Sequence, residues 1–448
     1  MDTERALASD VRPALAAACP ALRDGDARDD AVGGLTPSYV GLPASTEEAS
    51  ALLAVAASFG LAVVPRGAGH GLGSPGSPGW GLPPSACDLV VDTSAMDQVI
   101  EHAAGDLVAR VQAGATIGHL ASVLAEAGQQ LALDAPADAT VGGVIATGTA
   151  GPRRFRYGSP RDLLIGVTAV RADGVVAHAG GKVVKNVAGY DIGKLLAGSQ
   201  GTLALITEAT FRLHPLPPSV AWVTAEFGPA ERGAAAAALQ AAAGSALVPS
   251  AVELDWPPSS AQSARGLRVG VLLEGTSSGV AERARLMSEL LASAGGSPAV
   301  AVGEAAPPRW GQLPSPSTVI RVSFWVGGLA GVLDAVAAAA ASAGVRPAVT
   351  GSAGAGALYA CLDPATEQDA TVLFVRSLRE RLDPDGAAGS LPSSSGGPRG
   401  SVVVLAAPAL VMAAAGAYGV VPGAALMRAI KDQFDPGHRL FPGRLAAI

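Results

Sequence analysis

Apolar and polar positions along this chain fall into short alternating runs, and the cleanest is Leu203, Leu205, Thr207, Ala209, Phe211 and Leu213. A period of two with Glu208 and Arg212 on the opposite face predicts a strand. The run before it, from Gly180, is dense in glycine and carries Lys182, Lys185 and Asn186. A polar, glycine-rich loop feeding a buried strand lets a backbone come close to a large anionic ligand. Nearer the N-terminus a short extended piece from Tyr39 leads to Ser45, a natural N-cap, with Glu47 and Glu48 in the first turn. The spacing predicts a helix to Phe59, a stop at Gly60 and a strand over 61–65, which together make a βαβ unit.

Further strands are expected over 89–92 and 107–112, a helix over 116–127, and a strand-rich region over 161–177. After Leu216-Pro217-Pro218 the pattern changes. Residues 219–385 alternate strands, such as 267–273 and 319–325, with alanine-rich helices, as a second α+β domain would. Composition makes 386–400 a surface loop. The uncharged run Val402–Val421 is long enough for a bilayer. Pro408, Gly416 and Gly419 interrupt it, so it reads as a strand over 402–405 and then an alanine-rich helix. The organisation expected is an N-terminal helix and loop (1–37), a first domain (38–217), a second domain (218–423) and a C-terminal tail (424–448).

Composition narrows the class. A chain of 448 residues, 49% hydrophobic and 15% charged, buries a sizeable core and is no acidic solvating tail. Its net charge of -7 is spread without long runs, which argues against a nucleic-acid surface. Cys19, Cys87 and Cys361 lie far apart with no CxxC spacing, so neither zinc nor an iron–sulfur cluster is expected. They read as reduced thiols in a cytoplasmic protein. The start, MDTERALASDV, lacks the basic and apolar regions of an export signal.

The first motif with chemistry is Pro65-Arg66-Gly67-Ala68-Gly69-His70-Gly71-Leu72-Gly73. Alternate glycines after a strand can form a nest of N–H groups suited to a pyrophosphate, or a plain strand-to-loop turn. This motif, about 110 residues ahead of the stretch Gly180–Pro215, resembles the flavin-binding subunit of glycolate oxidase. That subunit belongs to the vanillyl-alcohol-oxidase, or p-cresol-methylhydroxylase (PCMH), type of FAD enzymes. The resemblance implies an α+β chain with FAD as cofactor. It implies a PCMH-type FAD-binding domain of two βαβ-containing lobes, an α+β cap, and a tail that returns to the flavin domain.

Carried onto this sequence, the resemblance gives Arg66, Gly67, Ala68, Gly69, His70 and Gly71 to the pyrophosphate loop. Thr140, Gly142 and Gly143 fall where the family lines the flavin. Ala146, Thr147, Gly148 and Gly151 fall at its second phosphate- and ribityl-contacting turn, and Gly201 and Ile206 where backbone meets flavin. Arg161-Asp162 is either a cofactor contact or a local pair closing a turn. Arg444 is either a partner for a substrate carboxylate or part of a packing device with Pro436, Gly437 and Pro442. At His70 the family usually has threonine. In other branches a histidine in this loop bonds covalently to FAD; the other reading is a hydrogen bond to phosphate or backbone.

Relatives that oxidise D-2-hydroxy acids unaided carry a metal-binding histidine and glutamate set in the cap. Here no histidine falls between 219 and 437, and His70, His102, His119, His178, His214 and His438 have no metal-ligand spacing, so no metal site is expected. The resemblance therefore implies an FAD-binding subunit that oxidises glycolate or a related small 2-hydroxy acid within a complex. A second FAD-linked catalytic subunit and an iron–sulfur subunit would be its partners, with at most peripheral membrane association through them. The alternative is a stand-alone FAD oxidase or dehydrogenase acting on a carbohydrate or alcohol.

Overall fold

Ser45 takes up its expected role, its Oγ accepting from Glu48 N at 3.2 Å, and the helix Thr46–Ser58 follows. The computed structural model describes residues 2–72, 81–182, 189–258, 266–303, 306, 310–313, 318–383 and 399–445, with side chains from Asp10 onward. Gly73, Lys185, Asn186 and almost all of the 386–400 loop fall outside the described residues.

The helix Thr46–Ser58 joins strands Tyr39–Gly41 and Val63–Arg66, which flank Leu89–Asp92 and pair with it in parallel. This is the expected βαβ lobe, extended by an unforeseen edge strand, Leu22–Asp24, antiparallel to Tyr39–Gly41. Its core packs Leu52, Leu53, Ala56, Val63, Leu89 and Val91 under the helix.

The second lobe builds its β-α-β crossover differently: Val176–Gly180 and Leu205–Arg212, joined through the helix Ile192–Leu196, are parallel to each other but separated by Leu164–Val170. Its five strands run in the order Val99–Ala103, Val108–Gln112, Leu205–Arg212, Leu164–Val170 and Val176–Gly180, antiparallel throughout. The first two are joined by a single turn through Leu107 at φ 55. Antiparallel neighbours accept so short a link, whereas parallel ones need a long crossover. Leu205–Arg212 is the central strand, and it is covered on both faces, with Ala209 and Phe211 in one core and Leu205 in another. Thr207 and Thr210 are buried, and Glu208 pairs with Arg110 at 2.5 Å.

The cap is an eight-stranded sheet in the order Ser297–Val302, Ser219–Phe227, Leu267–Gly275, Ala251–Trp256, Ala348–Ser352, Ala357–Leu362, Thr318–Phe324 and Gly400–Ala406. Helices Arg232–Ala243, Ser277–Ser293, Leu329–Ala343 and Gln368–Leu382 share one core with alternate strand residues, among them Val223, Val252, Leu254, Val271, Ile320, Leu358 and Val404. Each such side chain contributes about 1.5–3 kcal/mol. Val326–Ala343 is apolar and long enough to span a bilayer by composition, yet Leu329, Val332, Leu333 and Val336 from it are buried in that core. The intervening strand residues, including Trp222, Glu253, Leu272, Arg321, Tyr359 and Leu405, look the other way, toward the flavin-domain lobes.

The tail then returns. After helix Ala424–Phe434, Val63 N donates to Arg439 O and Phe441 N to Val63 O, both at 2.8 Å, so residues 439–441 border the first lobe. Buried Asp435 accepts from Lys431 Nζ at 2.5 Å and Leu440 N at 2.7 Å, fixing that turn.

Candidate functional site

The loop that follows strand Val63–Arg66 forms one wall of a groove of about 230 Å³ between the lobes. Among the described residues, the N–H groups of Gly67 through Gly71 have no acceptor; only Leu72 N bonds inward, to Gly69 O at 2.9 Å. Five unpaired amides in succession suit a polyanion. Gly69 takes φ +79, a conformation in which a side chain would be strained. The loop starts from a fixed point, since Arg66 donates Nε to Asp92 at 2.8 Å and a terminal nitrogen to Asp30 at 2.9 Å. Arg23 also grips Asp30 and, with Arg66 behind it, holds that carboxyl well below the usual range.

Thr140 caps the helix Val141–Thr147, accepting from Gly143 N at 3.3 Å, on the opposite wall. Here the amides are spent inside the protein, for Val141 N bonds Ala115 O and Gly142 N bonds Ala113 O. The glycines of this turn serve close approach instead. A Cβ on Gly142 would stand 2.8 Å from Ala113 Cβ, and one on Gly67 only 2.0 Å from Thr140 Oγ1. Ala146, Thr147, Gly201 and Ile206 complete the groove with Phe441 and Arg444.

Arg66, Gly67, Ala68, Gly69, His70, Gly71, Thr140, Gly142, Gly143, Ala146, Thr147, Gly201 and Ile206 thus line one space. Gly148 and Gly151 do not reach it. They line a second, larger cavity of about 1350 Å³ between the flavin-domain lobes and the open face of the cap sheet. Gly148 ends its helix at φ +68, and a Cβ on Gly151 would meet Asp134 Cβ at 2.5 Å. The two spaces share Pro136, Thr147, Thr149, Gln200 and Arg444, and so open into one another there.

Arg444 stands at that opening, 3% exposed. It donates to Gln200 Oε1 at 2.8 Å, Gly71 O at 2.9 Å and Leu82 O at 3.1 Å, and lies over the Phe441 ring. Burial pushes its pKa down to about 10. Its position couples the glycine loop to the tail, and Gln200, at φ 55, is held out of an ordinary conformation to meet it. His70 Nε2 lies 3.3 Å from Asp138. Asp162 accepts from Ser159 N and Oγ, both at 2.8 Å, in a capping box rather than pointing to a cofactor. Asp191 caps the helix Ile192–Leu196 and pairs with Lys194 at 3.0 Å. Lys182 pairs with Glu101.

Several residues that sequence reasoning missed border the larger cavity. Arg321 and Glu253 rise from the cap sheet's open face with Tyr359, while Tyr418 lies near the tail. Arg321 has no hydrogen-bonded or ion-paired partner among the described residues, and its buried Nε is unpaired. Trp222 and Trp310 stack at 6.0 Å on another wall. Tyr157 donates to Glu274 Oε2 at 2.8 Å, tying the flavin domain to the cap. Burial and that carboxylate push the Tyr157 hydroxyl up to about 12. Charged residues inside otherwise apolar strands, Glu253 and Asp255 in AVELDW and Arg321 in TVIRVSF, were the available signal. No group of three or more metal-ligating side chains occurs among the described residues.

Residues 37–180 match the family model described as an FAD binding domain. This chain carries an FAD-binding domain. Over 174 residues it is 39% identical to a D-lactate dehydrogenase of Archaeoglobus fulgidus, a match covering 39% of this chain and 38% of that one. It is 35% identical over 188 residues to glycolate oxidase subunit GlcD of Bacillus subtilis, covering 40% and 38%. With glycolate oxidase subunit GlcE of Escherichia coli it shares 37% identity over 122 residues, covering 27% and 35%. The chain therefore spans well under half the length of these curated relatives. Across nearly its whole length the fold is that of p-cresol methylhydroxylase, with a TM-score of 0.71 at 16% identity over 98% of this chain and 96% of the other. A xylooligosaccharide oxidase solved with xylobiose superposes at 0.67 with 18% identity, over 97% and 98%. FAD fits the residues present, which offer the loop of free amides at one end and a wide cavity at the other.

Proposed function

We propose that this chain is an FAD-dependent oxidoreductase for small 2-hydroxy acids. In this reading it is the FAD-binding subunit of a glycolate-oxidase-type complex that converts glycolate or a close relative to the 2-oxo acid. The observation that carries the reading is Arg321, a guanidinium without a partner in the cavity into which the FAD groove opens. A half-buried cation whose buried Nε the protein leaves unpaired favours an anionic ligand, and a carboxylate accepts from a guanidinium through two parallel bonds. The D-lactate dehydrogenase and glycolate oxidase relatives support that substrate class. The likenesses to both GlcD and GlcE support a complex with a second flavoprotein subunit and an iron–sulfur subunit.

Each part of the chain has a task in this scheme. The free amides of 67–71 take the pyrophosphate, and Arg66, fixed by Asp30 and Asp92, sets the loop's direction. The Gly148–Gly151 turn and Gln200 border the passage toward the reacting end. Bound FAD supplies the two-electron acceptor. Arg321 orients the carboxylate, and the cap sheet keeps bulk water from the reacting carbon.

One observation favours the alternative, oxidation of a carbohydrate or alcohol. The Trp222–Trp310 stack lies in a cavity roomy enough for a sugar, in a fold shared with the xylooligosaccharide oxidase. Anaerobic reduction of the FAD-loaded chain by a panel of hydroxy acids, alcohols and oligosaccharides separates the two. Arg321→Met is expected to weaken apparent binding of hydroxy acids by about 10- to 100-fold and to leave neutral substrates unchanged. Flavin reduction by sugars alone, untouched by Arg321→Met, overturns the hydroxy-acid reading.

A further inference from the structure

Glu253 is a carboxyl that the protein itself does not satisfy. It sits in the strand Ala251–Trp256 between Val252 and Leu254, which turn into the helix-covered core. It is 2% exposed, its Oε1 has no hydrogen-bond partner, and it borders the large cavity. Its cross-strand neighbour Gly270 leaves room for the Trp310 ring, since a Cβ there would meet that ring at 2.9 Å. Burying a polar oxygen without a partner is costly, and aiming it into a cavity leaves the missing partner to a ligand.

The charges around Glu253 come from both domains. From the flavin domain Asp134, held by Arg153 at 2.6 Å, and Arg154 face the same cavity. On the cap sheet the others are Glu274, occupied by Tyr157, and Arg321 beyond Tyr359. Arg444 and Tyr418 stand farther off, toward the groove. Strand order and register separate Glu253 and Arg321 by three strands and two residues. That is roughly 16 Å between backbones, a span that two side chains leaning inward and one small ligand can bridge.

We propose that Glu253 is the residue that takes the hydroxyl proton of the substrate, an assignment that rests on the hydroxy-acid reading above. As the O–H bond breaks, its proton passes to the Glu253 carboxylate. The carbon-bound hydrogen would leave with its electron pair, for which FAD, when bound, would be the acceptor, and the C–O bond would become a carbonyl. The protonated carboxyl then donates to the new carbonyl oxygen. A proton acceptor on the cap sheet stands in for the histidine and metal set that this chain lacks. Burial pushes Glu253 up to about 8; Ser352 opposes the rise, Asp134 adds to it and Arg154 offsets it. An acceptor with that value gains strength as pH rises toward 8 and then levels off.

The test uses the FAD-loaded chain, alone and with its partner subunits, in wild-type and Glu253→Gln forms. Infrared difference spectra between the two forms follow the Glu253 carboxyl band against pH, with and without glyoxylate. The band is expected to vanish as pH passes about 8, and glyoxylate, which binds the protonated form, is expected to move that midpoint upward. Anaerobic flavin reduction by glycolate and D-lactate is expected to rise with pH to the same midpoint. In Glu253→Gln it should fall by about 100-fold or more and lose that rise. A band that glyoxylate does not move, or a variant that reduces flavin at the wild-type rate, overturns the assignment and leaves the parent reading intact. If no hydroxy acid reduces the wild-type flavin while glyoxylate still moves the band, the parent reading falls and the ligand contact stands. Should Glu253→Gln fail to fold, Glu253→Asp carries the test. Drawing the carboxylate back from the cavity must slow flavin reduction while keeping a pH-dependent rise, and reduction at the wild-type rate overturns the assignment.

Discussion

Gly67 and Thr140, 73 positions apart, approach so closely that a methyl group on Gly67 would lie 2.0 Å from Thr140 Oγ1. The contact locks the glycine loop of one lobe to the helix cap of the other, with the FAD groove between them. Gly67→Ala is therefore expected to cut FAD affinity more than tenfold, by pushing the two walls apart. Thr140→Ala alone costs about 1 kcal/mol for the lost cap. The double variant should recover part of the affinity lost by Gly67→Ala, and FAD titration of the three proteins measures that coupling. Simple additivity would show that the two walls do not communicate through this contact.

Arg66 owes its direction to Asp30, and Asp30 owes its charge to Arg23 and Arg66. Asp30→Asn is expected to destabilise the chain at pH 7 by about 1–3 kcal/mol, because it takes away one of the two carboxylates that hold the largely buried Arg66 guanidinium. The native carboxyl titrates below its unfolded value, so its contribution is complete above about pH 4 and is lost as pH falls through the folded value. Urea melts at pH 7 and at successively lower pH should show the wild-type and variant midpoints converging only in acid.

The tail clasp acts at a distance from the cofactor. Asp435 is fully buried and bonded to Lys431 and Leu440, whose neighbours carry Arg444 to the groove. Burial lowers the pKa of Lys431, and Asp435 opposes that fall. Asp435→Ala should loosen residues 436–445, measured as faster cleavage in limited proteolysis. FAD should bind several-fold more weakly although neither residue lines the groove. Unchanged proteolysis with weakened FAD binding would point to a different route.

His70 gives a prediction about attachment. Its Nε2 faces Asp138 at 3.3 Å, and the side chain is half exposed at the groove's rim. Acid precipitation is expected to release all FAD from the wild-type chain, and His70→Ala should keep most of its FAD affinity. A fluorescent band in denaturing electrophoresis that disappears in His70→Ala would instead reveal a covalent bond.

Local signals carried the first lobe and the glycine loops. Ser45, Gly60 and the apolar run to Pro65 each speak about their own neighbourhood, and helix caps and turns are local devices. The strand neighbours of the second lobe were not legible, because pairing depends on which distant segment meets which. Nothing within 164–170 or 205–212 states that the two run antiparallel. The glycines at 142 and 151 were placed near the cofactor turn, but their tight contacts, Ala113 and Asp134, lie 29 and 17 residues away. Glu253 and Arg321 stayed hidden for the same reason, since their meaning comes from which face of the sheet the helices leave bare. The edge strand Leu22–Asp24 is too short and polar to show a period.

The cap sheet divides its residues by parity. Every second residue of a strand holds the domain together under the helices, while those between furnish the chamber. A lineage could exchange Glu253 or Arg321, trying new substrates, without touching the helix-covered core that keeps the domain folded. The dinucleotide cradle, built in another part of the chain, would not notice. Such an arrangement makes the bare side of the sheet a place where chemistry can drift while architecture stands still.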